Sequence, residues 1–343
     1  IISIQQNINN NLHFDQSSIE KLDFCAEAVT TALAKEAKYR MRVSFEGTYP
    51  KENELKEILA ATGLPNELGA KFPHFNYKYL HFPLKRGRKE VTYVHSLSEK
   101  RDVLVTNYLN YVNQCFKMHG IELNQKGTEY LISILTEIVE NAENHSGKKD
   151  WWLSGYMRMR GSSDYSDCHI ALFNFGDSIY DSLQKLPANA LLRNKLDELS
   201  QKHLGVFKDW TREQLWTLYA LQSGVSRNNA SASEIGHNGR GTVDIINFFQ
   251  SLGKSGIEDI QPKMCIISGN TYILHDNKYK MEEVTTPSGE KRMTIAFNEE
   301  NDLAKPPDGN NLKKLNHRFP GTLFSFRFYL NRKFLYSISK NES

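Results

Sequence analysis

Glu137, Asn141 and His145 are spaced four apart in the run Glu137-Ile138-Val139-Glu140-Asn141-Ala142-Glu143-Asn144-His145. On a helix that spacing stacks them on one face, while Ile138 and Ala142 turn toward a core. A carboxylate and an amide one helical turn apart can hold a water and a hydrated Mg²⁺ side by side. The carboxylate then serves as base or water-positioner and the amide oxygen as a hard metal ligand. A second run, Phe173-Asn174-Phe175-Gly176-Asp177-Ser178, closes an apolar stretch. Glycine there lets backbone approach a flat ring, and the polar side chain before it can pair with a base edge. A third run, Gly236-His237-Asn238-Gly239-Arg240-Gly241-Thr242, has glycines at GxxGxG spacing and opens a helical stretch over 243–252. Unhindered N–H groups at a helix N-terminus favour phosphate, and Arg240 adds a charge-assisted contact. Each run alone also has a plainer reading: a solvated polar helix face, a strand and its turn, a Gly-rich loop.

Two common phosphate motifs are excluded. No Gly-Lys-Ser/Thr follows the glycines, so this is not a Walker loop. The residues before them, Ser226–Glu234, are polar and loop-like, whereas a Rossmann turn must follow a strand.

The elements that must position these runs are legible in outline. Leu131, Ile134, Leu135, Ile138 and Ala142 form an apolar stripe that predicts a helix from about 125 to 145. A helix over 98–118 precedes it, with Ser98 as its N-cap. Apolar runs at 151–159 and 169–175 predict neighbouring strands, and a long polar, helical insertion follows over about 178–235. Runs at 264–268, 271–275, 280–284, 293–297 and 322–329 have antiparallel β texture. The first hundred residues read as small α/β: a strand near 12–14, a helix over 24–38, a strand at 41–45 and a helix from Pro50 to about 62. Residues 70–97 read as an irregular linker whose Lys85-Arg86-Gly87-Arg88-Lys89 is a solvated loop. The expected division is an accessory α/β domain, 1–97, and a larger domain, 98–338.

Taken in order, Glu-x-x-x-Asn on a helix, a glycine after a strand and GxxGxG before a helix resemble the GHKL ATPase superfamily of gyrase, the heat-shock chaperone, histidine kinases and MutL. Pro320-Gly321-Thr322, opening the last apolar strand, looks like the family's final Gly-Thr box. The resemblance covers about residues 100–335 and implies the Bergerat-type two-layer α/β sandwich, with ATP and Mg²⁺ as cofactors. It puts Glu137 on the catalytic glutamate and Asn141 on the Mg²⁺-binding asparagine. Gly236, Gly239, Arg240 and Gly241 fall on the phosphate-binding lid hinge, with the ATP lid over about 178–241. Gly176 and Thr322 fall at the adenine end, and Ser178, Asn238 and Thr242 are further candidate nucleotide contacts in the same motifs. One departure stands out: Asn174 occupies the place of the family's adenine-binding Asp, a neutral side chain that donates as well as accepts.

Residues 14–68 look like part of a STAS-type domain, a partner of GHKL kinases in bacterial anti-sigma switches. Phe24 and Cys25 stand where the phosphoacceptor Ser would be, so the likeness implies a docking module; an unrelated α/β cap is the alternative. The resemblance implies a slow ATPase or nucleotide-gated switch acting on a protein partner or through a homodimer. An anti-sigma-type protein serine kinase and a non-hydrolysing nucleotide-sensing module are the alternatives.

Composition is compatible with this. With 43 Lys+Arg against 40 Asp+Glu the net charge is only +3, which argues against a chain built to neutralise nucleic acid but not against a phosphate site made of backbone N–H groups. No run approaches the ~18 apolar residues of a membrane span. The start, Ile1-Ile2-Ser3, lacks a signal pattern, and Cys25, Cys115, Cys168 and Cys265 are scattered, so a cytoplasmic, reducing location is expected, without zinc or disulfides.

Overall fold

The computed structural model describes residues 11–67, 69, 79–91, 98–145, 147–159, 165–204, 210–223, 225, 241–252, 261–285, 289 and 291–331. It is a mixed α/β structure centred on a six-stranded sheet. The strands are β3 (Tyr79–Arg88), β4 (Glu99–Lys100), β5 (Asp150–Met159), β6 (Tyr165–Phe175), β7 (Lys263–His275) and β10 (Leu312–Asn331). Their order is β4-β3-β5-β6-β10-β7, antiparallel throughout except for the short parallel β3–β4 pair.

Strand alternation sends successive side chains to opposite faces. One face carries Cys168 and Leu172 of β6 with Phe324 and Phe326 of β10. It packs against α4 (Arg101–Lys117), α5 (Gln125–His145) and α9 (Gly241–Leu252). The stripe predicted for α5 is the one buried: Ile134, Leu135, Ile138, Val139 and Ala142 all enter this core. Asn124 starts α5 by accepting the Gly127 N–H at 2.8 Å.

The opposite face carries Ala171, Phe173 and Leu323. It is covered by α1 (Phe24–Met41) and α2 (Asn53–Thr62). With α3 (Leu64–Glu67) and the parallel pair β1 (Asn11–Asp15) and β2 (Ser44–Thr48), these form the N-terminal unit. Asp23 caps α1, and Phe24 stacks on Tyr156 of the sheet at 5.9 Å between ring centroids.

Two expectations are corrected. The stretch 70–97 is not wholly irregular, because Tyr79–Arg88 is strand β3 in the central sheet. Its charges are spent on structure: Arg86 bridges Glu36 and Asp150, each at 2.7 Å, and Lys85 meets Glu99 at 2.7 Å. Ser98 is not the cap of α4, whose N-cap is Lys100; the Ser98 hydroxyl donates to Asp150 instead. The insertion after residue 178 contains α6 (Ile179–Gln184), α7 (Leu191–Leu204) and α8 (Arg212–Tyr219), which close their own core around Trp216 and Leu196. This part is tied down, with Gln222 exchanging two hydrogen bonds with the Ile295 backbone. A small hairpin of β8 (Glu282–Thr285) and β9 (Lys291–Thr294) completes the described elements. No described helix is long and apolar enough to cross a membrane.

Candidate functional site

The helix α5 presents three carboxylates at three-residue steps, and their surroundings separate them. Glu143 accepts from the Trp151 indole at 3.0 Å and pairs with Arg101 at 3.3 Å, and Glu140 pairs with the same guanidinium at 3.0 Å. Glu137 has no cation against it among the described residues. Its Oε1 accepts from the Asn141 amide at 3.4 Å, one turn along the helix. Burial raises its pKa, with the charges of Glu140 and Asp244 adding to the effect and the Asn141 hydrogen bond opposing it. A half-buried carboxylate with raised basicity and no neutralising partner is the type of group that accepts a proton from water.

The start of α9 supplies the other wall. A Cβ built on Gly241 would fall 2.0 Å from both Cγ and Oε1 of Glu137, so only glycine leaves room for this carboxylate. The helix N-terminus therefore faces Glu137 at contact distance, with Thr242 next in its first turn. Unpaired N–H groups and the helix dipole make that spot favourable to negative charge. Gly236, Asn238, Gly239 and Arg240 lie outside the described residues.

At the end of the sheet the second and fourth motifs are cross-linked. Asn174 pairs in register with Thr322, and the Thr322 N–H donates to Asn174 Oδ1 at 3.2 Å. Because a backbone N–H can only donate, the amide oxygen must be the atom facing it. Gly321 makes the approach possible. Its φ of +145° and the 2.1 Å from an added Cβ to the Asn174 carbonyl oxygen exclude a side chain. The register of β10 against β7 shifts just before Thr322, which re-aims the strand at this point. The Thr322 hydroxyl shares a hydrogen bond with Ser268 at 2.9 Å, and Ser268 accepts the N–H of Ile179, the first residue of α6, at 2.8 Å. Gly176 donates its N–H to the Pro320 carbonyl at 2.9 Å. Ser178 serves as the N-cap of α6, closing a capping box with Asp181 and accepting from Arg318 at 3.2 Å.

The two groups of residues lie at one end of one face. Asn174 and Thr322 share their face with Leu172 and Phe324, two residues away on the same strands, which pack under α5. Trp151, bonded to Glu143, is the second residue of β5, and its neighbour Trp152 pairs with Phe173. The loop leaving α5 touches the loop leaving β6, since a Cβ on Gly147 would lie 2.9 Å from Asp177, which ion-pairs with Lys185. Glu137, Asn141, Gly241 and Thr242 are thus gathered on one side, and Asn174, Gly176, Ser178 and Thr322 at the strand ends beneath.

Sequence reasoning missed Ser268, Asp244 and Arg101. Ser268 had a signal, since it shares parity with Met264 and Ile266 and so places a hydroxyl on the buried face. Arg101 and Asp244 had none, because their roles come from helix–helix packing. Among the described residues no group of three or more His, Cys, Asp or Glu side chains is arranged to hold a metal ion. No family model, curated protein or solved structure matches the chain.

Proposed function

We propose that the chain is a Mg²⁺-dependent ATP-binding protein of the GHKL type, a slow ATPase or nucleotide-gated switch acting on a protein partner. The observation that carries this reading is the contact between Glu137 and Gly241: residues from separate motifs meet where a carboxylate, an amide and a helix N-terminus share one space. A phosphate at the start of α9 would have Glu137 beside it to orient water. The metal the family uses fits this donor set. The Asn141 amide nitrogen is turned to Glu137, and its side-chain oxygen makes no hydrogen bond among the described residues, leaving a neutral hard ligand. Mg²⁺ bound there would neutralise phosphate charge.

The base end is supported by Asn174 and Thr322. With Oδ1 held by the Thr322 N–H, the Asn174 amide nitrogen is left to donate, and the second lone pair of Oδ1 can still accept from an adenine amino group. The strands that carry this pair also carry Phe173 and Leu323, on which the N-terminal unit sits. A shift of β6 or β10 on nucleotide binding would reach that unit directly. The STAS-like reading belongs here as well: the burial of Phe24 and Cys25 against the sheet, in place of a phosphoacceptor, supports a docking module and not a phosphorylated switch.

The test is turnover of ATP by the purified chain, with transfer of labelled γ-phosphate to a co-encoded protein as the arm that separates kinase from ATPase. Glu137→Ala should retain ATP binding and lose turnover; unchanged hydrolysis removes the role given to Glu137.

A further inference from the structure

The three helices over the sheet do not fill the space beneath them. Between α4, α5, α9 and the strands lies a cavity of about 310 Å³. Its strand residues centre on Cys168 and Ile170 of β6 and Phe326, Phe328 and Leu330 of β10, and its nearest approach to Asn174 is Leu172, two residues before it. Its walls include Tyr108, Tyr111, Leu131, Ile134, Phe326 and Leu330, and its rim includes Gly127, Tyr130 and Ser251. Tyr130 is 47% exposed and meets Phe248 of α9 edge-on at 5.9 Å, so the cavity reaches the surface between the start of α5 and the end of α9.

The lining presents no charge. Burial pushes the Cys115 thiol up to about 12, raises the Cys168 thiol well above its ordinary value, and holds the Tyr108 and Tyr111 phenols protonated. His169 contributes to the wall, but its ring turns to the opposite face, 3.1 Å from Asp167 and against Phe24 and Tyr156. An apolar core void of about 150 Å³ stays dry and takes up benzene. One about twice that size, walled by rings and branched aliphatics, is in the range of ligand sites and not of packing defects.

We propose that this cavity is a binding site for a flat, uncharged, apolar molecule about the size of two fused rings. A charged group would lose its hydration with no partner in the walls, which excludes nucleotides, amino acids and fatty carboxylates that enter head first. The site is separate from the nucleotide site and does not depend on it. It is nonetheless walled by the same two helices, through Ile138, adjacent to Glu137, and Phe248 of the helix that begins at Gly241.

The probes are naphthalene and 1-naphthoate, the same ring system without and with a carboxylate. Each is titrated into the full chain in the absence of nucleotide, followed by calorimetry and by the thermal midpoint. Naphthalene is expected to saturate a single site and raise the midpoint, with naphthoate at least about tenfold weaker. Val112→Trp and Leu131→Trp each fill the cavity from a different helix. A variant that keeps the wild-type circular dichroism should bind naphthalene at least about tenfold more weakly. Absence of saturable naphthalene binding to the wild type overturns the proposal. So does equal binding of naphthoate, or full affinity in a folded, filled variant.

Discussion

Gly241 leaves the space that Glu137 occupies: a Cβ at residue 241 would lie 2.0 Å from the glutamate Cγ and Oε1. The glycine is required for the position of a side chain on another helix, and only secondarily for backbone freedom. Gly241→Ala should therefore leave the fold intact, because alanine favours the helix it enters, while pushing Glu137 out of place. Turnover should fall about a hundredfold with unchanged circular dichroism. Wild-type turnover in this variant would mean that the contact has no catalytic consequence.

The acid limb of the pH–rate profile should lie above the ordinary glutamate range. Burial raises the Glu137 pKa, and Glu140 and Asp244 add to it, so protonation silences the base at a pH where an exposed glutamate is still ionised. Asp244→Asn removes one of these charges and should move the limb to lower pH. A limb that stays in place in this variant would show that Asp244 does not act on the titrating group.

Asn174→Asp should tighten ATP binding. One carboxylate oxygen can keep the Thr322 N–H, now 3.2 Å from Oδ1, and the second becomes a charged acceptor for the adenine amino group. The expected gain is about tenfold in affinity, measured by calorimetry, with the gain absent for a nucleotide whose base lacks the amino group. Equal gains for both bases would place Asn174 away from the base edge.

Under the sheet's other face, Glu57 is fully buried, with the Tyr156 hydroxyl at 3.2 Å and Arg158 at 3.3 Å. Burial raises its pKa, opposed by Arg158 and the Tyr156 hydrogen bond. A pKa higher in the folded than in the unfolded chain gives stability that is full below the unfolded value and lost as pH rises through the folded one. Glu57→Gln, neutral throughout, should match the wild type at low pH and melt roughly 2–3 °C higher at pH 8. A lower midpoint at pH 8 would mean that the Arg158 ion pair outweighs desolvation.

What could be read from the sequence is what local pattern controls. The stripe of α5 and the glycines before α9 are periodic or positional signals, and those elements formed where expected. The strand β3 escaped because Pro83 interrupts it at a register shift between Phe82 and Lys85 and because its basic residues look solvated. Their acidic partners, Glu36, Asp150 and Glu99, lie far off in sequence, and no window around residue 86 contains the first two. The packing of the insertion was not legible for a similar reason. Its polar surface is evident locally, whereas the burial of Trp216 against Leu196 and the Gln222–Ile295 hydrogen bonds depend on tertiary packing. Within the site, the types at 137, 141, 174 and 322 were legible, but which of the three glutamates lacks a cation was decided by Arg101 on the neighbouring helix.

The most direct test is a calorimetric titration of the chain with ATP, with and without Mg²⁺. Saturable binding that strengthens with Mg²⁺, persists in Glu137→Ala and weakens in Asn141→Ala is the predicted result. Absence of binding by ATP, GTP and ADP under both conditions would contradict the account.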